Sequence, residues 1–211
     1  MALVKYNNNS ISAVTSTGLA SGALTHIKTL TASSSGTLSF VHGSDGVVLD
    51  STYPIYKFEF INIHPATANT IFQFQTSTNG GSSYGVTYTN TVFLAYHKEN
   101  GSGSGLNYEA GRDQAQSTAF ANLCAEVARS GEADQACSGF LELYNPSSTT
   151  FVKHCISRFI KDAATTDMFD QYQAGYMNTT TAINAIQFKM SSSNIDSGKI
   201  KLYGIKDSWW A

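Results

Sequence analysis

The stretch Tyr53-Pro-Ile-Tyr-Lys-Phe-Glu-Phe-Ile-Asn-Ile-His64 decides the fold class. In its first half, aromatic residues alternate with charged residues, and this period of two predicts a β-strand with one dry and one wet face. The aromatic set comprises Tyr56, Phe58 and Phe60, and the charged set comprises Lys57 and Glu59. Ile61 and Ile63 then place apolar groups on the formerly wet side. We therefore predict that a second sheet or a neighbouring subunit covers the second half of this strand.

Similar short runs, rich in Thr, Val, Ile, Tyr and Phe, recur along the chain and are separated by turns rich in Gly, Ser and Asn. This spacing is typical of a sandwich or a barrel rather than of alternating strands and helices. The predicted strands cover residues 11–15, 23–31, 37–41, 53–64, 70–76, 84–89, 91–97, 138–144, 151–160, 172–178, 182–190 and 199–205.

One segment departs from the strand pattern. Asp113 has the character of a helix N-cap, with Gln116 three residues further on. Apolar residues then recur at the i, i+3, i+4 and i+7 positions of a helix, and they are Phe120, Leu123, Cys124 and Val127. These features predict one amphipathic helix over about residues 113–129, inserted after a Gly-rich loop at residues 99–105.

The composition fits one domain. A chain of 211 residues can bury a proper core, and its 11 Tyr and 12 Phe suit pleated, half-buried surfaces. We predict a single domain over residues 1–211, with an N-terminal arm at about residues 1–10 and a C-terminal tail at about residues 207–211. A net charge of -2 lacks the basic footprint that nucleic-acid binding requires. No segment has the apolar length of a membrane span, and the polar N-terminus predicts synthesis in a cytoplasm.

Signatures of catalysis and of metal binding are absent from the sequence. It has no nucleotide-binding or hydrolase motif, and its five histidines lack the spacing of zinc ligands. Three cysteines without a C-x-x-C pair predict free thiols, and Cys155 is interpreted as an interior strand residue rather than as the nucleophile of a triad. Acidic residues near positions 132–134 and 162–170 are interpreted as loop charges. We predict no catalytic, cofactor-binding or metal-binding residues, and no cofactor.

Two large aromatic residues close the chain. Trp209 and Trp210 follow the last predicted strand and have no obvious core to enter, which is typical of a partner surface. We predict that this tail, with the arm around Leu3 to Tyr6, docks on a neighbouring subunit. The candidate subunit interface therefore comprises Leu3, Tyr6, Ile61, Ile63, Trp209 and Trp210.

Four stretches carry a resemblance to a known group of proteins. One is the run from Asn184 to Lys206, which ends in Gly-Lys-Ile-Lys-Leu-Tyr-Gly-Ile-Lys, and the others lie at residues 47–63, 111–116 and 143–154. They resemble virion structural proteins of tailed bacteriophages, notably marine cyanophages, in which a C-terminal hairpin ends in G-x-I-K-L-Y-G-hydrophobic-K. The similar region extends from about residue 37 to residue 206.

The resemblance implies an all-β fold, an antiparallel jelly-roll β-sandwich, in a homotrimer on a capsid or tail surface. We therefore predict a non-enzymatic virion protein, namely an exterior capsid decoration or cement protein that clamps neighbouring capsid subunits. Its partners would be copies of itself and the major capsid protein or tail proteins, with no nucleic acid and no membrane. The alternative is a tail or tail-fibre protein that attaches to a host receptor or glycan. A hydrolase of carbohydrate or peptide is the third and least supported class.

Overall fold

The computed structural model of the protein describes residues 23–127, 135–163 and 167–207. These residues form thirteen β-strands and no helix. In chain order the strands are β1 (Leu24–Thr31), β2 (Leu38–Val41), β3 (Ile55–Pro65), β4 (Thr70–Ser77), β5 (Tyr88–Lys98), β6 (Ser104–Tyr108), β7 (Gln114–Ser117), β8 (Ala121–Val127), β9 (Cys137–Tyr144), β10 (Lys153–Ala163), β11 (Asp167–Met177), β12 (Ala185–Met190) and β13 (Ile195–Ile205).

The strands form two antiparallel sheets in a sandwich-like arrangement. The wide sheet has nine strands in the order β1-β13-β3-β9-β10-β11-β5-β6, with β7 also paired to β5. The narrow sheet has four strands in the order β2-β12-β4-β8. The all-β, antiparallel prediction is thus confirmed over the residues described.

Aromatic side chains fill the space between the sheets because each strand turns every second residue inward. Phe60 shows how closely they pack: its ring centroid lies 5.0 Å from that of Phe159 and 5.1 Å from that of Phe188. We call this set the core cluster, and its members are Phe40, Phe58, Phe60, Phe72, Phe159 and Phe188. The alternation in residues 56–60 predicted this inward face correctly.

A β-bulge interrupts β3 after Phe60. Asn62 has a positive φ of 49°, and the register between β3 and β9 shifts between Phe60 and Ile63. The extra residue reverses the alternation, so that Ile61 is 37% exposed on the outer face whereas Ile63 is fully buried in the core. The interpretation that Ile61 and Ile63 share one face is therefore wrong.

The helix predicted at residues 113–129 is wrong where the structure describes it. Residues 114–117 form β7 and residues 121–127 form β8. The apolar residues of this segment fit a period of two as well as a helical period, and Leu123, Ala125 and Val127 are all buried. β8 pairs with β4, and Cys124 stands opposite Phe72 in this pairing. The pairing explains why the segment forms a strand instead of a helix. The Asp113 carboxylate accepts a hydrogen bond from Tyr108 instead of capping a helix.

The C-terminal run does not form a hairpin within one sheet. β12 pairs with β2 and β4 in the narrow sheet, whereas β13 pairs with β1 and β3 in the wide sheet. In β13, Ile200 and Leu202 are fully buried. Gly204 is also buried, because the ring of Tyr53 lies where a Cβ would be, only 2.3 Å from that position.

Candidate interaction surface

The outer face of the wide sheet carries a row of aligned aromatic side chains. Five neighbouring strands, in the order β9, β10, β11, β5 and β6, each contribute one residue to this row. The antiparallel register places each of these residues directly opposite the residue of the next strand. Directly opposed residues point to the same face of a sheet. We call this set the aromatic row, and in spatial order it comprises Phe140, Arg158, Tyr172, Phe93 and Tyr108.

The centre of the aromatic row is tightly stacked. The rings of Phe93 and Tyr172 lie 4.8 Å apart with an interplanar angle of 5°. The Arg158 guanidinium carbon lies 4.8 Å from the centroid of Tyr172, a cation–π contact on the neighbouring strand. Phe93 remains 39% exposed and Tyr108 60% exposed. The row therefore presents flat apolar area to solvent in a fixed geometry.

An ion pair holds the guanidinium in place. Arg158 Nε donates to Asp170 Oδ1 at 2.9 Å, and the second guanidinium nitrogen donates to Oδ2 at 2.7 Å. Tyr172 Oη donates to the same carboxylate at 3.0 Å. The hydrogen bond from Arg158 is the main reason that the pKa of Asp170 is lowered. The pair therefore stays charged at neutral pH and keeps both the arginine and the tyrosine in one arrangement.

Exposed aliphatic side chains extend the aromatic row along the strands. Ile156 and Ile160 point outward from β10 on either side of Arg158, and Met168 points outward from β11. A shallow depression of about 350 Å³ lies beside Ile156, lined mainly by Phe93, Phe140, Ile156, Arg158 and Tyr172, while Ile160 and Met168 line a second depression next to it. We call the aromatic row together with Ile156, Ile160 and Met168 the apolar band. Contiguous exposed apolar surface of this kind marks an interaction site in a soluble protein.

The remainder of the same face is charged. β3 and β13 present Lys57, Glu59, Lys199 and Lys201 outward, and Lys57 Nζ lies 3.5 Å from Glu59 Oε1. Lys57 also lies 5.2 Å above the ring of Phe140 and so marks the border of the apolar band. The outer face therefore has two halves, one apolar and one solvated, on a single continuous sheet.

Side chains of the wide sheet close the free edge of the narrow sheet. Gln171 Nε2 donates to the Leu123 carbonyl at 2.9 Å. Lys161 Nζ, on a side chain only 3% exposed, donates to the carbonyls of Ala125 and Glu126. Burial lowers the pKa of Lys161. Each of these carbonyls therefore already holds a donor from within the molecule, which disfavours the addition of a further strand along β8.

The interface residues predicted from sequence occupy different places. Ile61 lies on the outer face beside Lys199, away from the apolar band, in a depression of about 360 Å³. Ile63 packs in the core and contributes to the fold instead of to the exposed surface. Leu3, Tyr6, Trp209 and Trp210 lie outside the described residues, as do the N-terminal arm and most of the C-terminal tail.

The pattern of residues along the sequence does not reveal the apolar band. A signal was present in β10, where Cys155 and Phe159 point inward while Ile156 and Ile160 point outward. A strand that has apolar residues on both faces needs a covering layer on each face. A partner can cover the outer face, but the same pattern also occurs in a strand that is buried on both sides within one chain. The register that aligns Arg158 with Tyr172 is not visible in the sequence.

The interior position predicted for Cys155 is confirmed. Its thiol is buried and lies 3.2 Å from Tyr88 Oη, which accepts a hydrogen bond from Gln173. Burial raises the pKa of Cys155 to about 12, so this thiol stays protonated at neutral pH. In residues 23–127, 135–163 and 167–207 no three His, Cys, Asp or Glu side chains come together in a way that could hold a metal ion. Within the same ranges, no helix has the length and apolarity that crossing a membrane requires.

Comparisons with models of protein families, with curated proteins and with solved structures give no match for this chain.

Proposed function

We propose that the sandwich is a jelly roll extended by two insertions. Eight strands support this proposal. Four of them, in the order β1-β13-β3-β9, belong to the wide sheet, and the other four, in the order β2-β12-β4-β8, form the narrow sheet that faces it. With this order the chain alternates between the two sheets, as it does in the two Greek keys of a jelly roll. In this description β5, β6 and β7 are inserted between β4 and β8, and β10 and β11 are inserted between β9 and β12. Both insertions widen the same sheet, and together they supply most of the apolar band.

We further propose that the protein is a non-enzymatic structural protein of a tailed-phage virion, placed on the capsid exterior as a decoration or cement protein. The apolar band carries this proposal, because it offers a flat, preorganised face for a partner surface. Apolar area removed from water contributes about 25 cal/mol per Å², and many modest contacts on one particle add up through multivalency. The resemblance to virion proteins of cyanophages points to the same role.

In this proposal the protein assembles as a homotrimer after synthesis in the host cytoplasm and then binds the major capsid protein. The tail residues Trp209 and Trp210, the arm residues Leu3 and Tyr6, and the exposed Ile61 contact a neighbouring subunit. Deletion of residues 208–211 is then expected to weaken trimer formation in analytical ultracentrifugation. If the sedimentation profile and the thermal stability are both unchanged, the tail is not part of the subunit interface.

The location is tested on purified particles. We expect a copy number comparable to that of the major capsid protein, and we expect particles that lack the protein to lose genome at a lower temperature. A copy number of only a few per particle would contradict the capsid role.

The apolar band is tested by re-binding purified protein to particles that lack it. The double substitution Phe93→Asp, Ile156→Asp places charges in the band and should raise the Kd for the particles at least about tenfold, which corresponds to about 1.4 kcal/mol. Phe151→Asp is the control, because Phe151 is also an apolar residue at the surface, and a more exposed one than Phe93, but lies in the turn before β10. Equal binding of the double variant and the control would show that the band is not the docking face.

A tail or tail-fibre protein that binds host glycans is the second candidate. The stacked pair Phe93 and Tyr172, beside the charged groups of Arg158 and Asp170, favours it, because sugars pack on aromatic faces while their hydroxyls bond to charged groups. A glycan array separates the two candidates: selective binding that Tyr172→Ala abolishes supports attachment, and the absence of any binding excludes it.

A further inference from the structure

Two Asn-Gly pairs lie in turns of the chain, Asn79-Gly80 after β4 and Asn100-Gly101 after β5. Asparagine is a chemically labile residue, because the backbone nitrogen of the next residue can attack its side-chain carbon and displace the amide. Glycine as the next residue has no Cβ to hinder this attack. All four residues are exposed to solvent, so exposure alone does not distinguish the two pairs. The hydrogen bonds around them do.

The side chain of Asn79 is fixed by three hydrogen bonds. Its Oδ1 accepts from Ser77 Oγ at 2.7 Å and from the backbone nitrogen of Ser83 at 3.0 Å. Its Nδ2 donates to Ser83 Oγ at 2.8 Å. The nitrogen of Gly80 donates to Asn184 Oδ1 at 2.8 Å. Attack of this nitrogen on the Asn79 side chain therefore requires several hydrogen bonds to break together.

The side chain of Asn100 is held less firmly. Among the residues that the structure describes, it makes one hydrogen bond, in which Oδ1 accepts from the backbone nitrogen of Ser102 at 2.9 Å. Its Nδ2, the atom that must leave, is not restrained by this bond, whereas Nδ2 of Asn79 is. The nitrogen of Gly101 donates to the Lys98 carbonyl at 2.9 Å. The attacking nitrogen thus has one partner in each pair, and the difference between the pairs lies in the side chains.

We propose that Asn100 is a deamidation site of the folded protein and that the hydrogen bonds of Asn79 protect the other pair. The nitrogen of Gly101 loses its proton to hydroxide and forms a bond to Cγ of Asn100. The Cγ–Nδ2 bond breaks, and Nδ2 leaves as ammonia after gaining a proton. Water then opens the cyclic succinimide at either carbonyl and gives aspartate or isoaspartate. In sum, one amide and one water give one carboxylic acid and one ammonia, so the step requires no oxidant.

The modification lies in the hairpin that joins β5 to β6. It replaces a neutral side chain with a negative one next to Glu99, and isoaspartate also adds a carbon atom to the main chain within the turn. β6 lies at the end of the wide sheet, paired with β5, and carries Tyr108 of the aromatic row. The inference concerns the chain itself and holds whether or not the protein is a virion component.

The test is incubation of the folded protein at neutral and at alkaline pH, followed by protease digestion and mass spectrometry. We expect the peptide that contains Asn100 to gain the mass of an amide-to-acid conversion and to separate into aspartate and isoaspartate forms. Conversion should be faster at alkaline pH, because the attacking nitrogen must lose its proton. Conversion at Asn79 should be at least about tenfold slower, because two more side-chain hydrogen bonds have to break.

Two controls separate the effect of structure from that of local sequence. In concentrated guanidinium chloride both pairs should convert at similar rates, because each asparagine is followed by glycine. Ser83→Ala, at an exposed position, removes the bond to Nδ2 of Asn79 and should speed conversion there without changing the rate at Asn100.

Four results would each overturn the proposal. In the folded protein, Asn100 stays intact under conditions in which the unfolded chain converts, or both pairs convert at equal rates. In guanidinium chloride, the difference between the pairs persists. In the Ser83→Ala variant, conversion at Asn79 is no faster than in the wild type.

Discussion

The core cluster and the aromatic row use the same kinds of residue on opposite faces of one sheet. In the core cluster, Phe60 and Phe159 are buried among rings of both sheets. In the aromatic row, Phe93 and Tyr172 are stacked as closely, but Phe93 is 39% exposed to solvent. The core cluster is explained by folding, because it joins the two sheets. The aromatic row joins strands already paired through their backbones, so folding alone does not account for it.

This difference separates stability from association. Removing a core ring leaves a cavity between two sheets, whereas removing a ring of the row only exposes more of its neighbours. Substitutions in the two sets are therefore expected to affect different measurements.

The largest effect on stability is expected from Phe60→Ala. It removes a ring that contacts Phe72, Phe159 and Phe188, and it should lower the free energy of unfolding by about 3–5 kcal/mol. Urea denaturation measures the loss. Phe151→Ala, at an exposed turn, serves as the control and should change stability by less than about 0.5 kcal/mol. Similar losses for both variants would contradict the assignment of the core.

An intermediate effect is expected from alkaline pH, which acts on the core. Burial raises the pKa of Tyr56 to about 12, and its hydroxyl bonds to Asp50; the Cys155 thiol is likewise raised to about 12. In the unfolded chain these groups lose their protons near pH 10 and pH 9. Their contribution is therefore complete below about pH 9 and is lost as the pH rises towards 12.

Urea denaturation between pH 8 and pH 11 measures this slope. Tyr56→Phe should lower stability by about 1 kcal/mol at pH 8, because it removes the bonds to Asp50, and should flatten the decline above pH 10. A decline as steep as in the wild type would show that Tyr56 is not a source of the alkaline sensitivity.

The smallest effect on stability is expected from Arg158→Gln in the aromatic row. Its ion pair with Asp170 is short, but the arginine side chain is 48% exposed, so the loss at neutral pH should be much smaller than that of Phe60→Ala. Because the pKa of Asp170 is lowered by this pairing, the difference from wild type should vanish as the pH falls below about 4. Thermal unfolding at both pH values checks this. A loss as large as that of Phe60→Ala would erase the distinction between the two faces.

The sequence predicted local structure better than it predicted which strands pair. The alternation of Tyr56, Phe58 and Phe60 is a property of neighbouring residues, and it placed the core face correctly. Residues 121–127 satisfied a strand period and a helix period at once, and the choice depended on pairing with β4, which is distant in the chain. β6 was missed because glycines next to it suggested a loop.

The candidate surface depends on such distant pairing throughout. Phe140 and Tyr108 are far apart in the chain, and only the registers of β9, β10, β11, β5 and β6 bring them into one row. Likewise, the bulge at Asn62 moved Ile63 from the predicted surface into the core. The positive φ of Asn62 thus explains why Ile63 lies in the core, although the sequence pattern alone predicts it on the outer face.

The donors that Lys161 and Gln171 supply along β8 also bear on how the protein behaves when it is crowded. An edge strand with unpaired backbone groups can start cross-β growth, in which one chain after another adds a strand to the sheet. Here the carbonyls of Leu123 and Ala125 are already occupied from within the molecule. At high local concentration the occupied carbonyls of this edge therefore oppose the addition of a further strand along β8.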